Sequence, residues 1–166
     1  MIGVFLTFAM LSAQPPSCAL ERAHYVLRGA PGFTAAFRPV AVSRDWPAGV
    51  ALEIRSAQSG RAYDFLPYQG NGAGTLGHLA STDAVTRPGW TPPGPDDGKV
   101  RPLGDLDYLL FDAGYGEQSK HSLRQGGAAP EHLLIPELQH ALWYRTPSDA
   151  RESAPTAFFD LIDCGA

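Results

Sequence analysis

Along residues 22–29, RAHYVLRG, polar and apolar side chains alternate, with Ala23, Tyr25 and Leu27 on one face before APG breaks the run. A period of two predicts a half-buried strand followed by a turn. The next run, FTAAFRPV, ends near Pro39, which has no N–H to give to a ladder and so predicts an edge or a bend. After RDWPAG, the run VALEIRS sets Val50, Leu52 and Ile54 against Glu53 and Arg55. SAQSG then supplies turn residues, and RAYDFLPY returns with Tyr63 and Phe65 alternating against Asp64. These two runs predict a β-hairpin. Further strands are expected at HLAS, DYLLFDA, EHLLI, ALWYR and TAFFDLI.

Helical signals are few. Pro136 is placed to open a turn or two through PELQHAL from the first helical position, and GEQSKHSLRQGG reads as a polar helix stopped by Gly126. Many short strands between turn signals predict an all-β, mostly antiparallel single domain, a sandwich or an open barrel with at most one or two short helices. Segments 86–104 and 114–130, dense in glycine and proline or polar residues, are expected to be long loops of that domain rather than linkers.

Composition narrows the picture. The 166 residues suit one domain, 44% of them are hydrophobic, and 18 glycines with 15 prolines favour turns over long helices. The formal net charge is −4 and the basic residues are scattered, so no basic stripe exists to neutralise a nucleic-acid backbone. Nucleic acid is therefore not an expected partner.

Residues 1–13, MIGVFLTFAMLSA, are almost wholly apolar, shorter than the roughly 20 residues of a membrane-spanning helix, and of the length of a signal-peptide core. They lack the Lys or Arg of the usual n-region, and a buried first strand is the competing reading. The expectation is an exported, periplasmic or secreted protein without a transmembrane span. Its leader lies within residues 1–19, cleaved near 13 or near 19, ahead of one β-rich domain over 20–166. The two cysteines, Cys18 and Cys164, sit near opposite ends of the chain. Cleavage after Ala13 keeps both, and a Cys18–Cys164 disulfide is the expectation, whereas cleavage after Ala19 would remove Cys18.

The chemical leads are weak. GAGTLG, residues 72–77, matches the spacing G-x-G-x-x-G, but the fingerprint needs a helix to follow it, and HLASTDAVTRPGW has no helical period. No nucleotide is expected. The histidines, His24, His78, His121, His132 and His140, form no H-x-H or H-E-x-x-H pair, and no acidic calcium-loop pattern is present, so no metal or other cofactor is expected. G-x-S-x-G is absent; Ser81 with His78 and Asp83, or Ser119 and Ser122 around His121, are the groupings a small hydrolase would need. Aromatic rings beside the long loops carry more. Tyr68, Trp90 and Tyr115, with His121, are the candidate ligand contacts, although Trp90 also serves to pin its own proline-rich loop. Trp143 and Tyr144, inside an apolar run, read as core or sheet-face residues.

The expected function is that of an exported, non-enzymatic binding or envelope-associated module. It would meet a protein or glycan partner outside the cytoplasm through loops 68–77, 86–104 and 114–127. The alternative is a small secreted hydrolase centred on His78 or His121.

Overall fold

A computed structural model describes residues 18–69, 76–94, 101–118 and 123–165. The leader segment 1–13, most of the GAGTLG glycine run, and His121 with Ser119 and Ser122 lie outside those residues. Eight strands follow one another in sequence order around a closed barrel: β1 (Ala23–Leu27), β2 (Phe33–Pro39), β3 (Val50–Ser56), β4 (Ala62–Tyr68), β5 (Gly77–Thr82), β6 (Asp105–Phe111), β7 (His132–Leu134) and β8 (Phe158–Cys164). Every neighbouring pair is antiparallel. Closure comes from β8, which returns to β1 with Ala23 opposite Cys164 and Leu27 opposite Phe159.

The all-β, antiparallel expectation holds and the barrel alternative is the one realised; the sandwich is corrected. A sandwich would leave sheet edges, whereas pairing of β8 with β1 removes them. The interior is one packed core rather than a hollow. Tyr25, Phe65, Phe159, Leu52, Ile54, Leu79, Leu106 and Leu133 are fully buried, and Tyr25 meets Phe37 edge-on at 6.0 Å between ring centroids. The Tyr25 hydroxyl donates to the Pro130 carbonyl at 2.9 Å, so its polar tip is satisfied inside.

The two ends of the barrel are closed differently. At the disulfide end, Cys18 bonds Cys164, and Leu20, in a 3-10 turn over Leu20–Arg22, is a fully buried plug. Its backbone N–H donates to Gly127, while the Ala129 N–H donates to Cys18. At the helix end, α1 (Leu138–Tyr144) sets Leu138, Ala141 and Leu142 over the core. Here the expected strand ALWYR is corrected: the i, i+3, i+4 spacing of those three buried residues follows the helical period, two residues after Pro136. The expected polar helix over GEQSKHSLRQGG is also corrected for its described part, in which Glu117 makes an isolated bridge to Phe111 and Gly126 takes a left-handed turn.

Strands β3, β4 and β5 are buried on both faces. Outside them Trp46, Ala51, Leu66 and Ala80 form a second cluster, against which Val40, Tyr68, Val85 and Trp90 pack. Trp90 Nε1 donates to Thr82 Oγ1 at 3.3 Å and Trp46 Nε1 to the Pro93 carbonyl at 2.5 Å, so the proline-rich loop lies along this wall. No helix among the described residues is long and apolar enough to cross a membrane. The side chains facing into the barrel are mainly apolar, whereas Glu53, Asp64, His78, Asp107 and Asp160 lie on its outer face, as does the second cluster.

Candidate binding site at the barrel mouth

At the disulfide end the core stops short of the surface. A cavity of about 440 Å³ opens there between the β2–β3 loop (Arg44, Asp45, Pro47, Ala48), the end of β4 (Pro67, Tyr68, Gln69), Tyr108 of β6, and Leu123 with Arg124. Register explains the floor. Gly77 of β5 stands opposite Tyr108 of β6, and the missing side chain gives the Tyr108 ring room to lie across the sheet. Gly77→Ala would put a methyl group inside that ring. The substitution is expected to cost about 1–3 kcal/mol and to displace Tyr108 from the floor, as measured by denaturant melts and the tyrosine ring resonances. An alanine variant as stable as the parent would show that the ring has room to spare.

Tyr108 is only 2% exposed, and its hydroxyl has no hydrogen-bond partner among the described residues. Burial pushes its pKa up to about 12, opposed by the nearby Leu123 backbone N–H. A neutral hydroxyl in such a place is a donor waiting for an acceptor, because an orphaned buried polar group is costly. Around the opening stand Arg44, Arg124 and Asp45, a net charge of one positive unit, and neither arginine is paired among the described residues. The walls between rim and floor, Pro47, Ala48, Pro67 and Leu123, are apolar.

The residues singled out by sequence are dispersed. Tyr68 lies at the mouth, edge-on to Trp46 at 5.9 Å and tilted over His78 at 5.2 Å. Trp90 packs on the outer wall toward the helix end. Tyr115, at φ +62°, tops a loop whose Gly114 and Gly116 N–H groups donate to Asp112 Oδ1 at 2.9 and 2.8 Å. Its ring stacks on His132 at 4.4 Å, and its hydroxyl accepts from Arg28 at 2.7 Å. Arg28 also clamps Asp160 through two nitrogens at 2.7 and 2.8 Å. Tyr115 therefore braces the seam where the three-residue β7 meets β8.

No known protein family, curated protein or solved structure matches the chain.

Three histidines pair with aspartates directly opposite them on the outer wall: His24 with Asp163 at 2.6 Å, His78 with Asp107 at 2.7 Å and His132 with Asp160 at 2.7 Å. Asp160 is held below the usual carboxylate range: burial raises it, but hydrogen bonds from Arg28 and His132 outweigh that. Among the described residues no serine or cysteine is hydrogen-bonded to any of these imidazoles. Ser81 points inward instead, accepting the Leu103 N–H at 2.9 Å, and Asp83 pairs with Arg87 at 3.1 Å, so Ser81, His78 and Asp83 do not converge. Gly77 opens a strand, β5, where a dinucleotide fingerprint would need a helix. Among the described residues no group of three or more His, Cys, Asp or Glu is placed to hold a metal ion.

Sequence reading missed Tyr108, Arg44 and Arg124. Tyr108 sits in the apolar run DYLLFDA and looks like core. The signal that would have found it is Gly77, a glycine at the start of a strand and therefore a mark of close approach by a neighbour. The two arginines are isolated loop residues with no local pattern to separate them from solvent-facing charges.

Proposed function

We propose that this protein is an exported, non-enzymatic binding module that takes a small, largely apolar molecule bearing one negative charge at the disulfide-end mouth of its barrel. The observation carrying the reading is the buried Tyr108 hydroxyl, which donates to no described residue, at the floor of a cavity of about 440 Å³. An acceptor on the ligand satisfies that hydroxyl, the apolar walls take its body, and Arg44 and Arg124 meet its charge. The chain leaves β4 after Tyr68 and β6 after Phe111 at this end of the barrel, whereas it leaves β5 after Thr82 at the other. The Cys18–Cys164 disulfide fits an oxidising compartment, and it uses a cysteine that a leader cleaved near residue 19 would discard.

The test uses 1-anilinonaphthalene-8-sulfonate, an apolar monoanion whose fluorescence rises on leaving water. Saturable one-to-one binding to the folded protein is expected, weakened about tenfold or more by the double substitution Arg44→Ala, Arg124→Ala, and sensitive to salt. In the empty protein, Tyr108→Phe is expected to raise the melting temperature by relieving the orphaned hydroxyl. Dye binding indifferent to both arginines, or a Tyr108→Phe variant with an unchanged melt, removes the basis of this reading.

A further inference from the structure

The helix end carries a second, chemically different recess. Between α1 and residues 153–156 lies a groove of about 480 Å³ lined by Gln139, His140, Trp143, Tyr144, Ser153 and Thr156, with Pro136 at one side. The opposite side of α1, Leu138, Ala141 and Leu142, is what closes the barrel. A helix serving only as a plug has no need of large rings on its solvent side, yet Trp143 is 41% exposed and Tyr144 68%. Two large rings side by side on the solvent face of a helix make a contiguous exposed patch, the kind of surface that marks a contact site.

The polar groups say what that something is. The Gln139 amide, the His140 ring, Trp143 Nε1 and the Tyr144, Ser153 and Thr156 hydroxyls line one groove, and none of these side chains is hydrogen-bonded to another described residue. No Asp, Glu, Lys or Arg lines the groove, and the one cation beside it among the described residues, Arg151, is set against the Trp143 ring, so the lining itself is neutral and polar. Two ring faces together with several unpaired donors and acceptors match a neutral polyhydroxyl compound, whose C–H faces stack on aromatic rings while its hydroxyls exchange hydrogen bonds around the edge.

The walls are held in place before any ligand arrives. Glu152 Oε1 accepts from Ser59 Oγ at 2.6 Å and from the Tyr63 hydroxyl at 2.5 Å, which ties the segment after α1 to the β3–β4 turn. Arg61 donates to the Ala150 carbonyl at 3.0 Å, and the Glu152 N–H reaches the Leu142 carbonyl at 3.3 Å. The Arg151 guanidinium lies over the Trp143 ring, 5.9 Å from its centroid, and helps to hold the indole in place. Such preorganisation lowers the entropy lost on binding. We propose that this groove on α1 is a binding site for a neutral saccharide, separate from the mouth cavity at the opposite end of the barrel.

The experiment is a titration of the full folded protein with neutral hexose and N-acetylhexosamine oligosaccharides, followed by tryptophan emission and by saturation-transfer NMR. Binding is expected to quench or shift emission. Trp143→Ala and Tyr144→Ala are each expected to weaken it about tenfold or more at an unchanged melting temperature, and Trp143→Phe, which keeps a stacking face, to retain part of it. Failure of all these saccharides to bind would overturn the proposal. So would binding unaffected by either alanine substitution, or capture by this face of a protein partner in place of sugar.

Discussion

Removing the Cys18–Cys164 bridge, by substituting both cysteines with alanine, is expected to lower the melting temperature by about 10–20 °C. The bridge spans a sequence separation of 146 residues, so in the chain-entropy picture it confines nearly the whole described chain in the unfolded state. For a loop of that length the stabilisation is about 5 kcal/mol, and for a domain of this size each kcal/mol moves the melt by about 2–4 °C. Position adds to the effect. The bridge joins Cys18, two residues before the Leu20 plug, to the last residue of β8, beside the pairing of Ala23 with Cys164 that closes the barrel. Its loss therefore frees the N-terminal segment that seals the disulfide end and weakens the β1–β8 seam together. Thermal melts of the parent, with and without reductant, and of the double-alanine variant measure this. Coincident melts for a parent whose thiols are shown to be fully reduced and a parent left oxidised would mean that the seam and plug hold without the covalent link.

The position of this bridge also explains which parts of the architecture were legible in the sequence. Alternation over Ala23, Tyr25 and Leu27, and over the hairpin from Val50 to Tyr68, could be read directly because the opposite face of each run carries polar residues. Closure could not. It depends on His24 meeting Asp163 and Leu27 meeting Phe159, pairings that no local pattern encodes. The same limit applies to Glu53 and Asp64. Alternation correctly sends both to the outer face, but not their burial: Asp64 is met by Val85 from a loop that returns later in the chain, and Glu53 by Arg38 from the neighbouring strand together with Arg55. The stretch from Ala141 to Tyr144 misled for a different reason: four consecutive apolar or aromatic residues fit a strand as well as a helix, and only their register with Leu138 decides. That ambiguity also hid the groove, since Trp143 and Tyr144 look like core until α1 turns them outward. Of the two recesses, Tyr68 was visible as a ring beside a glycine-rich loop. Tyr108 and the rim arginines become a site only once three separate connections meet at one end of the barrel.

Asp64→Asn is expected to stabilise the protein at pH 8 by about 2–3 kcal/mol, with most of the gain gone by pH 4. Asp64 is 4% exposed and stands directly across the β3–β4 ladder from Glu53, itself 3% exposed. The two carboxylates fare differently. For Glu53, burial acts to raise the pKa, but hydrogen bonds from Arg38 and Arg55, at 2.8 and 2.6 Å, outweigh it and hold the group below its ordinary range. Asp64 receives one N–H, from Val85 at 3.1 Å to Oδ2, while Oδ1 is buried without a partner. Burial, with the charge of Glu53 adding to it, pushes its pKa up to about 6 against the help of the Val85 N–H and of Arg38 and Arg55. A carboxyl whose pKa is higher folded than unfolded binds its proton more tightly in the native state. Its contribution is thus fully favourable below about pH 4 and is lost as pH rises through about 6, where the native state must hold an unwanted charge. Asparagine keeps an oxygen to accept the Val85 N–H and carries no charge at any pH, so it removes the alkaline penalty and leaves the acid side nearly unchanged. Urea melts of parent and variant between pH 4 and pH 8 read the difference directly. Two stability curves that run parallel over that interval would mean that Asp64 titrates as an ordinary carboxylate, with the outer wall of β3 and β4 wetter than its burial implies.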